Sequence, residues 1–115
     1  MPQTIPNRKP QIIEILGLIA SEEQQLAYER DVPHVDITAE LLCMWFDDQY
    51  HPGDAFFRSC FTEDELAALA EFHQLYDERS KRLPASRGTV RNWLASPDWR
   101  EIMKKAHETL SRVTA

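Results

Sequence analysis

With 115 residues, 43 % of them apolar and 28 % charged, the chain has the length of one domain and the composition of an ordinary globular protein, which excludes disordered and fibrous classes. The apolar run from Ile12 to Ala20 is interrupted by Glu14 and falls short of the roughly 20 apolar residues of a membrane span, and its last residues, Leu18, Ile19 and Ala20, fit a signal-peptide cleavage site poorly, so the expected compartment is the cytoplasm. A net charge of −6 and a pI near 5.1 argue against a general nucleic-acid binder, and Cys43 and Cys60 are expected as free thiols packed like small apolar groups.

Residues 1–9 carry two prolines and no apolar period and are expected to form a poorly ordered arm before a single helical domain over 10–115. From Pro10 the spacing of Ile12, Ile13, Leu16, Ile19 and Ala20 predicts a buried helical face. Ser21 and Gln24 have the form of a capping box, so this helix either bends or restarts there and runs to about Arg30. Pro33 makes the segment from Asp31 to Val35 an extended connector.

Asp36 or Thr38 then caps a helix over about 38–50, whose middle, Leu41 to Phe46, is apolar on every side and is expected at the centre of the fold. A buried strand gives the same run, but Ala39, Glu40, Leu41, Leu42 and Met44 favour helix. His51, Pro52 and Gly53 end it, and a short helical turn follows over Asp54 to Cys60. Thr62 and Glu65 form the clearest capping box, starting a helix to about Arg79 with Leu66, Leu69, Phe72, His73 and Tyr76 inward.

Leu83 to Gly88 reads as the longest internal loop, followed by a short helix with Val90, Trp93 and Leu94. Ser96 and Pro97 open the last helix, with a stripe of Trp99, Ile102, Met103, Ala106, Leu110 and Val113. Glu101 with Lys105, and Glu108 with Arg112, are spaced for ion pairs on its outer face. The expected fold is therefore all-α: a compact bundle of five or six helices with the last helix packed across the central one.

Charge is unevenly placed. Residues 1–78 hold 16 acids and 4 bases, a net of −12, whereas residues 79–115 hold 3 acids and 9 bases, a net of +6. The acids Asp47, Asp48, Asp54, Glu63, Asp64 and Glu65 lie close enough in sequence to predict an acidic surface that attracts a basic partner. The bases Arg79, Lys81, Arg82, Arg87 and Arg91 offer a weaker alternative, phosphate contact by a regulatory nucleic-acid-binding domain using Arg82, Arg87 and Arg91.

The most site-like string runs from Asp47 to Asp54. Cys43, Asp47 and His51 are spaced i, i+4, i+8, one face of an α-helix, and with His34 or Asp36 they suggest a small metal-dependent enzyme. The ordinary alternative is that Asp48 and His51 serve the helix end. His73 on an apolar face is expected as a hydrogen-bonded core histidine, His107 as peripheral, and the three tryptophans as core, with Trp93 the one candidate for an interface. No G-x-S-x-G, phosphate loop, dinucleotide fingerprint or H-E-x-x-H occurs.

These readings combine into an expectation of a non-catalytic protein-binding module. Its partner is a basic protein, bound through Asp47, Asp48, His51 and Asp54, with no cofactor or metal assigned. A short, acidic, helical chain of this profile is similar in type, though not in motif, to bacterial immunity or antitoxin proteins that neutralise a basic toxin.

Overall fold

The caps written in the sequence set most helix boundaries in the computed structural model, which describes residues 7–83 and 89–114. Residues 1–6 of the expected arm and 84–88 of the expected loop lie outside the described residues. Lys9, assigned from sequence to the arm, already belongs to the first helix, α1 (Lys9–Ala20). Ser21 is extended, which ends α1, and its hydroxyl accepts from the Gln24 amide at 3.1 Å, which starts α2 (Glu22–Asp31). The helix thus restarts at Ser21.

Asp36 caps α3 (Ile37–Cys43) by accepting from the Ala39 amide at 3.2 Å, while the Thr38 hydroxyl donates to the same carboxylate at 2.6 Å. Without a break, α3 widens into a π-helical turn over Met44–Gln49. Asp54 caps the short α4 (Ala55–Ser59). At the start of α5 (Glu63–Ser80) the capping box is complete: Thr62 Oγ1 accepts from the Glu65 amide at 3.1 Å, and Glu65 Oε1 accepts from the Thr62 amide at 2.9 Å. Thr89 caps α6 (Val90–Leu94), and α7 (Pro97–Thr114) opens at its proline. The described residues therefore hold seven α-helices and no strand, one more helix than expected because α1 and α2 are separate.

The apolar stripe of α7 buries Trp99, Ile102, Met103, Ala106 and Val113, joined by Thr109, against α1 and α5. Sequence placed α7 across the helix of Leu41 to Phe46; instead α3 and its π-helical turn lie beside α1, α2 and α6. Leu41 and Trp45 are buried, but Cys43 is exposed and Leu42, Met44 and Phe46 are half-buried. The thiols are free, as expected, but Cys43 is not packed in the core and Cys60 is only partly covered.

An aromatic column joins these layers. Ring centroids stand 4.7 Å apart between Tyr50 and Trp45, 4.8 Å between Trp45 and Phe72, 5.3 Å between Phe72 and Tyr76, 6.1 Å between Tyr76 and Trp99, and 4.6 Å between Trp99 and Trp93. Removing one such buried ring costs about 3 to 5 kcal/mol, so the column fixes the π-helical turn firmly against α5.

On the outer face of α7 the expected i, i+4 pairs do not form among the described residues. Lys105 lies 3.9 Å from Glu108, and Arg112 reaches Glu71 on α5 at 2.7 Å. Arg112 finds a closer carboxylate on the neighbouring helix than on its own. No helix among the described residues is long and apolar enough to cross a membrane.

Candidate functional site

The segment from α3 to α4 carries most of the residues singled out from sequence. In its π-helical turn the hydrogen bonds run from residue i to i+5, as in Tyr50 N donating to the Trp45 carbonyl at 3.1 Å. Each such turn takes about one more residue than an α turn, so an i, i+4, i+8 series no longer lines up. Cys43 and Asp47 remain neighbours. Loss of hydration around the Cys43 sulfur pushes its thiol above the ordinary value, followed by its hydrogen bond with Asp47 and the negative charges of Asp47, Glu40 and Asp48. Such a thiol stays protonated and is a poor nucleophile.

His51 takes a different direction. Its Nε2 lies 2.8 Å from the Asp48 carbonyl, the helix-end role that the turn residues suggested. His34 and Asp36 line a separate cleft of about 400 Å³ with Glu29 and Thr89. Among the described residues, no three His, Cys, Asp or Glu side chains are grouped to hold a metal ion.

The carboxylates divide into two sets. Glu22 pairs with Arg100 at 3.2 Å, Glu65 with Lys9 at 2.6 Å, Glu71 with Arg112 at 2.7 Å, and Asp77 with Lys81 at 3.5 Å. Asp98 takes both Arg79 at 3.0 Å and Arg82 at 3.7 Å. By contrast Glu40, Asp47, Asp48, Asp54, Glu63 and Asp64 make no ion pair among the described residues, and all but Glu40 are exposed. The other acids without an ion pair, Glu14, Glu23, Glu29, Asp36, Glu78 and Glu101, are spread over several elements. Arg58 is the base of the α3–α4 segment, and it donates to the Pro52 carbonyl at 3.4 Å. The basic tail thus neutralises acids on α2 and α5 and leaves the α3–α4 segment negative. In the basic segment itself Arg91 is exposed and Arg87 lies outside the described residues.

Two features here escaped the sequence reading. Phe56 on α4 is 39 % exposed, the one large apolar side chain so exposed among the described residues, and its amide donates to Asp54 at 3.4 Å. The signal was the Phe56-Phe57 pair, because neighbours on a helix lie about 100° apart and a single short helix cannot bury both. Trp93, the interface candidate from sequence, is buried against Trp99, and its Nε1 has no hydrogen-bond partner among the described residues.

The second feature is a cleft of about 440 Å³ between α1, α2 and the π-helical turn. Ile15, Leu18 and Met44 supply its apolar part, and Glu14, Tyr28 and Gln49 are among its polar residues. The buried Oε1 of Gln49 has no hydrogen-bond partner among the described residues. Sequence gave no sign of this cleft, since it exists only through the break at Ser21 and the widened turn after Cys43.

Fold and charge pattern together describe an all-α bundle whose α3–α4 segment carries exposed acids that make no ion pair among the described residues. No protein-family model, curated protein or solved structure matches the chain.

Proposed function

We propose that this chain is a non-catalytic binding module that docks a basic protein on the segment carrying Asp47, Asp48, His51 and Asp54, with Glu40 extending the negative field. The observation that carries this reading is the concentration of unpaired carboxylates: among the described residues Glu40, Asp47, Asp48, Asp54, Glu63 and Asp64 make no ion pair and follow one another along the chain, whereas the other unpaired acids are spread over several elements and interspersed with the paired Glu22, Glu65, Glu71 and Asp77. Unpaired surface charge of one sign accelerates encounter with a partner of the opposite sign and selects against acidic ones. Phe56 adds an apolar anchor beside Asp54, the arrangement of an aromatic contact inside a charged rim. A small acidic protein that holds a basic toxin in a bacterial cytoplasm is the type of partnership this surface suits.

The test is affinity capture with the full chain from its own cells, repeated with Asp47→Lys plus Asp48→Lys. The expected result is a basic protein whose retention falls both with added salt and with the double substitution. Retention indifferent to salt and to charge reversal would overturn the reading.

A further inference from the structure

We propose that the cleft between α1, α2 and the π-helical turn receives an arginine side chain of the basic partner. This assignment rests on the docking reading above and adds a specific receptor to it. The cleft holds about 440 Å³, within the range of sites that enclose small groups. Two of its lining residues carry acceptors without a protein partner among the described residues. Glu14 is exposed and makes no ion pair, and Gln49 has a buried Oε1 with no hydrogen bond, which for a buried amide oxygen is unfavourable until an N–H reaches it.

Among the described residues no lysine or arginine lines the cleft, so the negative charge of Glu14 has no cation there. Ile15, Leu18 and Met44 offer apolar surface to a methylene stem, while Tyr28 adds an aromatic side chain to the lining, the residue type on which a planar cation stacks. These complementary surfaces favour guanidinium over ammonium. A guanidinium is planar, less strongly hydrated, stacks on aromatic rings and has five N–H donors for two separate acceptors, whereas a lysine ammonium is a compact, strongly hydrated charge. Position supports the same occupant. Gln49 and Met44 belong to the π-helical turn that also carries Asp47 and Asp48, so a partner drawn to those carboxylates arrives beside the cleft. Single π-helical turns recur at functional sites because the extra residue redirects side chains.

The experiment is a titration of the full chain, followed by amide and methyl NMR at constant ionic strength, with N-acetyl-arginine-N-methylamide as the probe. The matched citrulline compound, which is neutral, and the lysine compound are the comparisons. Saturable shifts are expected at the Gln49 side-chain amide, the Met44 methyl and Tyr28, with binding at least about tenfold tighter than for citrulline and tighter than for lysine. Glu14→Gln should weaken the arginine probe about tenfold. Gln49→Met should weaken it too while leaving the fold intact, because it removes a buried acceptor that has no donor. Asp47→Lys plus Asp48→Lys should leave the probe at the cleft. Equal binding of citrulline, shifts confined to Asp47 and Asp48, indifference to Glu14→Gln, or no shifts would each overturn the assignment. Because the probe needs no partner protein, a failed capture experiment with a positive titration would sink the docking reading alone.

Discussion

Trp99 on α7 donates through Nε1 to Gln25 Oε1 on α2 at 3.0 Å, deep in the core. The same Gln25 donates through Nε2 to the carbonyls of Leu18 at 3.0 Å and Ile19 at 2.8 Å, in the last turn of α1, where carbonyls have no partner within the helix. One fully buried amide therefore closes the end of α1 and ties it to α7. Gln25→Leu would leave the Trp99 donor and the Ile19 carbonyl without this partner, while the Leu18 carbonyl keeps the Ser21 amide at 3.2 Å, and should cost about 2 to 5 kcal/mol by urea unfolding at an unchanged slope. A loss below about 0.5 kcal/mol would show that these bonds contribute nothing net.

Glu65 joins α1 to α5. Burial alone raises its carboxyl, but the Lys9 ammonium at 2.6 Å and the Thr62 amide outweigh that and hold it below its ordinary value of 4.5. A carboxyl depressed by folding contributes stability that is present above its unfolded value and lost as pH falls through the lower folded value. The unfolding free energy should accordingly drop on acidification below about pH 4.5. Glu65→Gln retains the capping pattern but loses the ion pair, so it should cost about 1 kcal/mol at neutral pH, a modest figure because Lys9 is partly solvated. The gap between parent and variant should close toward low pH. A gap that stays constant from pH 7 to pH 3 would contradict the pairing.

The π-helical turn is held through Trp45, whose Nε1 donates to His73 Nδ1 at 3.1 Å while its ring stacks on Tyr50 and meets the edge of Phe72. An Nδ1 that accepts requires the His73 proton on Nε2. Long-range nitrogen–proton NMR should show that tautomer, and a proton on Nδ1 would refute the bond. Trp45→Phe removes the donor and part of the ring, and should cost about 2 to 3 kcal/mol in thermal or urea unfolding.

Legibility followed locality. The stripe of α7, the caps at Ser21, Asp36 and Thr62, and the role of His51 at a helix end depend on residues within a few positions of one another. The winding of Leu41 to Phe46 does not. Tyr76, from α5, donates its hydroxyl to the Leu41 carbonyl at 3.0 Å just before the helix widens, and Trp45 is locked among Tyr50, Phe72 and His73. Apart from Tyr50, those partners come from α5, so a periodicity count along α3 alone had no access to them. Exposure of Asp47 and Asp48 was readable, but their lack of ion pairs among the described residues was not, because Arg100 and Arg112 are drawn to α2 and α5 by tertiary packing. The cleft of Glu14 and Gln49 needs the angle at Ser21 and the extra residue of the π-helical turn together, and neither is a property of a short sequence window.

Phe56 and Phe57 separate stability from binding at adjacent positions. Phe57 is fully buried against Tyr50 and Phe61, with ring centroids 5.7 Å and 5.0 Å away, so Phe57→Ala should cost about 3 to 5 kcal/mol. Phe56 makes no ring contact among the described residues and is 39 % exposed, so Phe56→Ala should change the unfolding free energy by less than about 0.5 kcal/mol. If the α3–α4 face docks a protein, truncating its exposed aromatic should still weaken capture, by about fivefold or more, with the amide spectrum otherwise unchanged. A surface driven by charge alone would retain the partner fully after Phe56→Ala and lose it only on reversal of Asp47 and Asp48. Measuring retention of the same partner by both variants therefore decides whether the aromatic anchors the interface or merely sits beside it.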